Sequence, residues 1–196
     1  MFQIGNFKFG EVNKTYIIAE IGINHNGSFD TALALVDKAI ECRVDAIKFQ
    51  TFKTEKLVAS QSEYFEILKG NEFSKSQYRN LFLKAKEGGI HCFSACFDEE
   101  SVDLWNDLDA PAFKIASGDI THFNLLKKIS SCGKPIILST GASTLSDIKK
   151  AIKVIHKQNS NSSVALLHCV SNYPTKIKDL NLNCINTLKK HFNCIV

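Results

Sequence analysis

The sequence predicts an α/β protein of the (β/α)8 TIM-barrel type, incomplete within these residues at about six βα units plus the start of strand 7. From Tyr16 onward, apolar runs rich in β-branched residues alternate with amphipathic stretches of helical period, which is typical of βα units on a parallel sheet. The repeat is uninterrupted at about 30 residues per unit, which fits a barrel of ~250 residues. The loop after the first run, Asn24-His25-Asn26-Gly27, is not the G-x-G-x-x-G turn of an open nucleotide-binding sheet.

Each unit has a predicted strand followed by a predicted helix. The strands are Tyr16–Ile23, Asp45–Thr51, Gly89–Ala95, Ala112–Ala116, Lys134–Ser139 and Ser163–Cys169. The helices are Phe29–Cys42, Lys75–Gly88, Glu99–Leu108, His122–Cys132, Thr144–Gln158 and Asn181–Phe192. Capping candidates mark helix starts at Ser28, Ser74, Asp98 and Ser143, and glycines mark helix ends at Gly88 and Gly133.

The last four residues, 193–196, read as a seventh strand that is just beginning. Residues 1–196 are therefore expected to be the amino-terminal portion of a barrel domain. Because an incomplete barrel exposes two sheet edges, we expect either a protein that continues beyond Val196 or a truncated fragment.

Composition indicates a globular protein, with 44% apolar and 22% charged residues. A net charge of +4 from scattered lysines suits an anionic small molecule at least as well as nucleic acid, and no aromatic-basic RNA motif is present. Seven cysteines without a C-x-x-C pair predict reduced thiols. The sequence lacks a signal peptide and a run of membrane-spanning length, so we expect a cytoplasmic protein that engages no membrane.

The stretch Phe113–Asp119 is central to the functional prediction. Lys114 lies within a buried strand, where an ammonium needs a nearby anion, a carboxylate or deprotonation. Lys114 and Ser117 are three positions apart, so a regular strand would direct their side chains to opposite faces of the sheet. The strand must therefore end or bend near Ala116 for both side chains to reach one site.

Other predicted strands also carry polar residues near their carboxyl ends, where active sites of parallel α/β folds lie. Lys48 and Lys114, with the hydroxyls that accompany them, predict a pocket for a phosphate or carboxylate. Glu20 and Asp119 are the candidates for general acid or base catalysis, ahead of His25 and His168.

Each of these residues also has a structural explanation. Lys48 and Lys114 could belong to an ion pair inside the barrel, with Glu20 as a partner. Ser139 and Thr140 could cap the following helix.

Five motifs follow one another along the chain: Ile17–Gly27, Ala46–Thr51, Phe113–Asp119, Lys134–Gly141 and Leu167–Thr175. In sequence and in order, these motifs resemble those of the sialic acid synthase family. The resemblance implies a (β/α)8 barrel that condenses phosphoenolpyruvate with an N-acetylmannosamine-like sugar to a nine-carbon 2-keto sugar acid and releases phosphate.

The resemblance also implies roles for individual residues. Those implied to bind phosphoenolpyruvate are Lys48, Lys114, Ser117, Ser139 and Ser171. Gln50 and Tyr173 match sugar contacts, Glu20 matches a carboxylate beside phosphoenolpyruvate, and Asp119 matches the acidic residue placed for proton transfer. The sugar could be N-acetylmannosamine, its 6-phosphate or a dideoxy diacetamido analogue.

The family also implies a divalent metal, commonly Mn²⁺, a carboxy-terminal antifreeze-like domain and a homodimer for the full-length protein. The histidines that resemble the family's metal ligands would lie beyond Val196, so no metal ligand is assigned here. Strand 3 has Ser94-Ala95-Cys96-Phe97 where the family often has Ser-Thr-x-Phe, so one hydroxyl near the phosphate is missing.

Two other functions remain open at this point. In a Schiff-base aldolase of the barrel class, deprotonated Lys114 would attack a keto acid. A truncated, non-catalytic fragment would have no activity of its own.

Overall fold

The computed structural model describes residues 2–10 and 14–196. These residues form two compact units. The first unit contains residues 14–111, and the second contains residues 2–10 together with 112–196.

The first unit has three parallel strands paired in chain order, each followed by helical structure. Its strands are β3 (Ile18–Gly22), β4 (Ala46–Thr51) and β5 (His91–Cys96). Its helices are α1 (Phe29–Glu41), α2 (Thr54–Leu57), α3 (Phe65–Lys69), α4 (Lys75–Glu87) and α5 (Glu99–Asp107).

The second unit repeats this plan and adds an amino-terminal hairpin. The hairpin pairs β1 (Gln3–Ile4) with β2 (Phe7–Lys8). The parallel strands, again paired in chain order, are β6 (Phe113–Ile115), β7 (Ile136–Ser139) and β8 (Val164–Leu167). The helices are α6 (Phe123–Ser131), α7 (Leu145–Gln158) and α8 (Asn183–His191).

The strand ends of the first unit are fixed by an aromatic core. Phe49, Phe93 and Trp105 are fully buried. The Trp105 indole donates a hydrogen bond to Thr51 Oγ1 at 2.8 Å, and this oxygen lies 2.8 Å from Ser94 Oγ. Buried polar atoms are satisfied in this way at the carboxyl ends of β4 and β5, so the core holds those ends in place.

The second unit packs α6 against α7. Ile129, Ile148 and Ile155 are almost completely buried. The Ser130 hydroxyl donates to the Ile155 carbonyl at 2.8 Å and so ties the two helices together. Because α7 follows β7 directly, this packing fixes the loop at the carboxyl end of β7.

The structure confirms the predicted α/β class, the six strands and the six long helices, with shifts of a few residues at their ends. Ser28, Ser74 and Asp98 are N-caps as predicted. The prediction of Ser143 as a cap is wrong, because Thr144 is the residue that accepts the hydrogen bond from the Asp147 backbone. Ile195 forms a parallel bridge with Ala165, as expected for a strand that begins there.

The sequence prediction omitted the hairpin and the short helices α2 and α3. Elements of two to five residues are too short to show a hydrophobic period. Among the described helices, none has both the length and the apolar character needed to span a membrane.

Candidate functional site

In the first unit, Glu20 and Lys48 are register partners on β3 and β4. Lys48 Nζ lies 2.6 Å from Glu20 Oε2, and the Lys48 side chain is 9% exposed whereas that of Glu20 is 51% exposed. A carboxylate therefore compensates the buried ammonium, as the ion-pair explanation of Lys48 requires. Glu20 keeps about half of its side chain exposed to solvent, whereas Lys48 is buried behind it.

Gly22 brings Gln50 close to this pair. The β3–β4 register shifts between Glu20 and Gly22, and Gly22 has φ +52. A Cβ at Gly22 would lie 3.0 Å from Glu20 Oε1 and 3.8 Å from Gln50 Cδ. Glycine thus lets both side chains approach the same stretch of backbone. We call Glu20, Lys48 and Gln50 the Glu20 cluster.

The loop after β3 packs tightly against the segment before α4. His25 is fully buried, stacks on Phe73 at 4.2 Å and accepts a hydrogen bond from the Gly27 N–H at Nδ1. Burial lowers the pKa of the His25 imidazole. A Cβ on Gly27 would lie 2.1 Å from the Gly70 carbonyl oxygen, so only glycine fits there. His25, one of the two histidines considered as a general acid or base, thus has the environment of a neutral residue that packs in the core.

Glu72 fixes the segment between β4 and α4, and the sequence analysis did not single it out. Its carboxylate accepts a hydrogen bond from the Thr54 N–H at 2.8 Å and contacts Lys53 and Lys69. Burial alone would raise the pKa of Glu72, but the hydrogen bonds from Thr54, Lys69 and Lys53 lower it to about 2. A carboxylate in a predicted loop gives no sequence signal that separates it from a solvated surface charge.

In the second unit, Lys114 on β6 points toward the end of β7. Its ammonium donates to Ser139 Oγ at 2.6 Å and to the Ile115 carbonyl at 2.8 Å. β6 ends at Ile115 and a 3₁₀ turn covers Ser117–Asp119, so the predicted end of the strand near Ala116 is confirmed.

Ser117 and Ser171 converge on Gly141. The Gly141 N–H donates to Ser117 Oγ at 3.0 Å. A Cβ on Gly141 would lie 2.7 Å from Ser171 Oγ and 2.9 Å from Ser117 Oγ. The three residues line one cavity of about 250 Å³, to which Thr121 and Ser143 add hydroxyls. Lys114 and Ser139, which contact each other, are not among the residues that line this cavity. We call Lys114, Ser117, Ser139 and Ser171 together the serine–lysine cluster.

Asp119 lies in the 3₁₀ turn that follows β6. Burial raises the pKa of its carboxyl, and the nearby His122 and Lys114 offset this only in part. A carboxyl whose pKa is raised holds a proton more readily and exchanges it closer to neutral pH, which suits a general acid or base.

Two predicted residues lie outside this cluster. The Tyr173 side chain is 96% exposed on the loop after β8, so its sugar contact stays a prediction. His168 Nε2 lies 2.8 Å from the Leu180 carbonyl, a contact that anchors the same loop.

A larger cavity of about 1200 Å³ lies elsewhere in the second unit. Phe2, Phe9, α7 and residues 191–195 line it. It contains none of the predicted site residues, so its size alone does not indicate a function.

The residues that the structure describes include no group of three His, Cys, Asp or Glu side chains able to hold a metal ion. Glu20 is already paired with Lys48, and the positive charges that act on Asp119 are those of His122 and Lys114. These residues do not fit a metal centre. The Mn²⁺ implied by the family resemblance therefore stays a prediction, and no chemical step is assigned to a metal here.

Comparison with known proteins gives consistent matches. Residues 35–196 match the NeuB family. The chain is 46% identical, over 97% of its length, to an uncharacterized protein of Methanocaldococcus jannaschii, and covers 56% of that protein. It is 37% identical, over 92% of its length, to the N,N'-diacetyllegionaminic acid synthase of Campylobacter jejuni, and covers 59% of it. The chain thus spans little more than half the length of these curated relatives.

Among solved structures, the chain resembles the N-acetylneuraminic acid (sialic acid) synthetase of Leptospira borgpetersenii, determined in complex with citrate. The TM-score is 0.89 at 33% identity, over 99% of this chain and 68% of that one. This likeness confirms the barrel-type α/β fold predicted from the sequence.

Proposed function

Because the chain belongs to the NeuB family, we propose that it takes part in condensing phosphoenolpyruvate with an N-acetylmannosamine-like sugar. C3 of phosphoenolpyruvate forms the new bond to the sugar's aldehyde carbon, water adds at C2, and inorganic phosphate leaves. The product is a nine-carbon 2-keto sugar acid. Named relatives make sugar acids of this general kind, which supports a synthase and leaves the sugar to be determined.

The serine–lysine cluster is the observation that carries this proposal. Its lysine supplies positive charge and its three hydroxyls supply directional hydrogen bonds, which is the chemistry that binds a phosphate or carboxylate.

Asp119 is proposed to move a proton at the reacting centre, since its raised pKa keeps a fraction of the carboxyl protonated at higher pH than is usual for aspartate. As the resemblance implies, Lys48 is proposed to contact phosphoenolpyruvate and Gln50 to contact the sugar, and Glu20 is the carboxylate beside them. An antifreeze-like domain, a homodimer and a need for Mn²⁺ in the complete protein are part of the same proposal.

The competing Schiff-base reaction is less well supported. A nucleophilic lysine must present a free amine lone pair to the keto acid, whereas the Lys114 nitrogen is held by hydrogen bonds to Ser139 Oγ at 2.6 Å and to the Ile115 carbonyl at 2.8 Å. Borohydride reduction in the presence of pyruvate separates the two reactions. We expect no covalent adduct on Lys114, and a stable adduct would favour the aldolase.

The direct test is phosphate release from phosphoenolpyruvate by the full-length protein, with added Mn²⁺. N-acetylmannosamine, its 6-phosphate and a dideoxy diacetamido analogue are supplied in turn. We expect release that depends on one of these sugars. Release that ignores the sugar, or no release with any N-acetylated hexosamine, would contradict the proposal.

A further inference from the structure

Cys169 lies two residues beyond the end of β8, and the proposed function gives it no role. Its Sγ is 3.4 Å from Ser139 Oγ and 3.5 Å from the Leu167 carbonyl oxygen. The residue is half-buried. A thiol carries a single hydrogen, so it can donate fully to only one of these two oxygens.

The Leu167 oxygen is already satisfied by Thr140. It accepts a hydrogen bond from the Thr140 N–H at 3.1 Å and another from the Thr140 hydroxyl at 2.9 Å. A carbonyl oxygen has two lone pairs, and both are used by donors stronger than a thiol. The Cys169 hydrogen is therefore directed to Ser139 Oγ.

Ser139 Oγ also accepts the Lys114 ammonium at 2.6 Å. A hydroxyl has two lone pairs and one hydrogen, so Lys114 and Cys169 together occupy both acceptor positions. The hydroxyl hydrogen must then point away from both neighbours. Within residues 2–10 and 14–196 no acceptor is recorded for this hydrogen, although Ser139 is only 5% exposed.

From this geometry we infer that Cys169 is a positioning residue that holds Ser139 as a hydrogen-bond donor toward a bound phosphate or carboxylate oxygen. The inference deepens the proposed function and rests on it for the identity of the anion. Without the thiol, one lone pair of Ser139 is released and its hydroxyl can rotate. Part of the affinity for the anion is then lost, while the chemical step is not directly touched.

The test compares Cys169→Ala with Cys169→Ser in the full-length protein. Calorimetry gives Kd for phosphoenolpyruvate and for inorganic phosphate, and steady-state assays give KM and kcat. We expect Cys169→Ala to weaken phosphoenolpyruvate binding about three- to tenfold, as for one neutral hydrogen bond, with kcat within about twofold. Cys169→Ser keeps a donor and restores affinity to within about twofold. Cys184→Ala, on the exposed face of α8, is the matched control and changes nothing.

A double-mutant cycle with Ser139→Ala completes the test. Because Cys169 acts through Ser139, Cys169→Ala has no further effect on Kd once the hydroxyl is gone. A threefold or larger effect of Cys169→Ala in the Ser139→Ala background overturns the inference, as does wild-type affinity of the single variant.

The two hypotheses fail in different ways. If the anions bind and Cys169→Ala weakens them, but no sugar-dependent turnover occurs, the inference stands and the proposed function fails. If turnover occurs and affinity is unchanged in Cys169→Ala, the inference fails alone. If neither anion binds the wild-type protein, both fail.

Discussion

The two clusters hold a lysine at the same distance from its partner, but the partners differ in charge. Lys48 Nζ lies 2.6 Å from the Glu20 carboxylate, and Lys114 Nζ lies 2.6 Å from the Ser139 hydroxyl. Removing a carboxylate from a buried ammonium leaves an uncompensated charge, whereas removing a hydroxyl deletes one hydrogen bond. We therefore expect substitutions in the Glu20 cluster to affect mainly the free energy of unfolding. Substitutions at the site in the second unit should affect mainly substrate binding and turnover.

The largest functional effect is expected for Asp119→Asn. This variant cannot exchange a proton, so kcat should fall by about 10²-fold or more. Because burial raises the folded-state pKa of Asp119, its stabilising contribution is complete below the unfolded-state pKa and is lost as the pH rises through the folded-state value. Near pH 7 the melting temperature of the variant should thus be no lower than that of wild type. Any excess over the wild-type melting temperature should decrease as the pH falls.

Turnover assays and thermal melts between pH 3 and 8 measure both effects of Asp119→Asn. An active variant with a much lower melting temperature would make Asp119 a structural residue.

Lys114→Ala should have the next largest effect. Loss of a charged contact to an anion is worth about 1.5–3 kcal/mol, which corresponds to roughly 10- to 150-fold in kcat/KM for phosphoenolpyruvate. Lys153 is an exposed residue of α7, so Lys153→Ala is the control and should leave kcat/KM unchanged. Equal kcat/KM in the two variants would remove Lys114 from the substrate site.

Glu20→Gln tests the stability side of the comparison. It leaves Lys48 buried beside a neutral group, and we expect a loss of about 1–3 kcal/mol in the free energy of unfolding, reduced from the fully buried case because Glu20 is half exposed. The exposed pair Lys38–Glu41 provides the control, since Glu41→Gln should change the free energy of unfolding far less than Glu20→Gln does.

Urea unfolding measures both carboxylate variants. If Ser139→Ala, which is expected to cost less than about 1.5 kcal/mol, proves more destabilising than Glu20→Gln, the contrast between the clusters is wrong.

Gly141→Ala should give the smallest of these effects. The new methyl group would meet Ser171 Oγ and Ser117 Oγ, so at least one hydroxyl must move, and we expect KM for phosphoenolpyruvate to rise about three- to tenfold. Gly118→Ala is the matched control, because a Cβ there meets nothing within 4 Å. Kinetic assays of the two variants decide whether the close approach at Gly141 shapes the site.

The sequence contained enough information to predict the repeating frame. Long amphipathic helices and buried strands carry their period locally, and a lysine within an apolar strand such as Lys114 demands a partner. An ion pair of Lys48 with Glu20 was the structural alternative to ligand binding that the same reasoning left open, and this pair is present.

Contacts between uncharged residues that are distant in the chain could not be predicted in this way. Cys169 meets Ser139 from 30 positions away, and Gly141 meets Ser117 from 24 positions away. Neither a cysteine nor a glycine signals such a contact in the sequence, because both residue types are common in protein cores and turns. Glu72 was overlooked for a related reason, since only the fold turns this loop carboxylate into a partly buried hydrogen-bond acceptor.

The close approach of Gly27 to the Gly70 carbonyl has a consequence for how this protein can vary. The loop after β3 and the segment before α4 touch backbone to backbone, with no side chain between them to absorb a change. An insertion or bulky replacement in either one displaces the other. In diverging or redesigned sequences, the lengths of these two connections should therefore change together rather than independently.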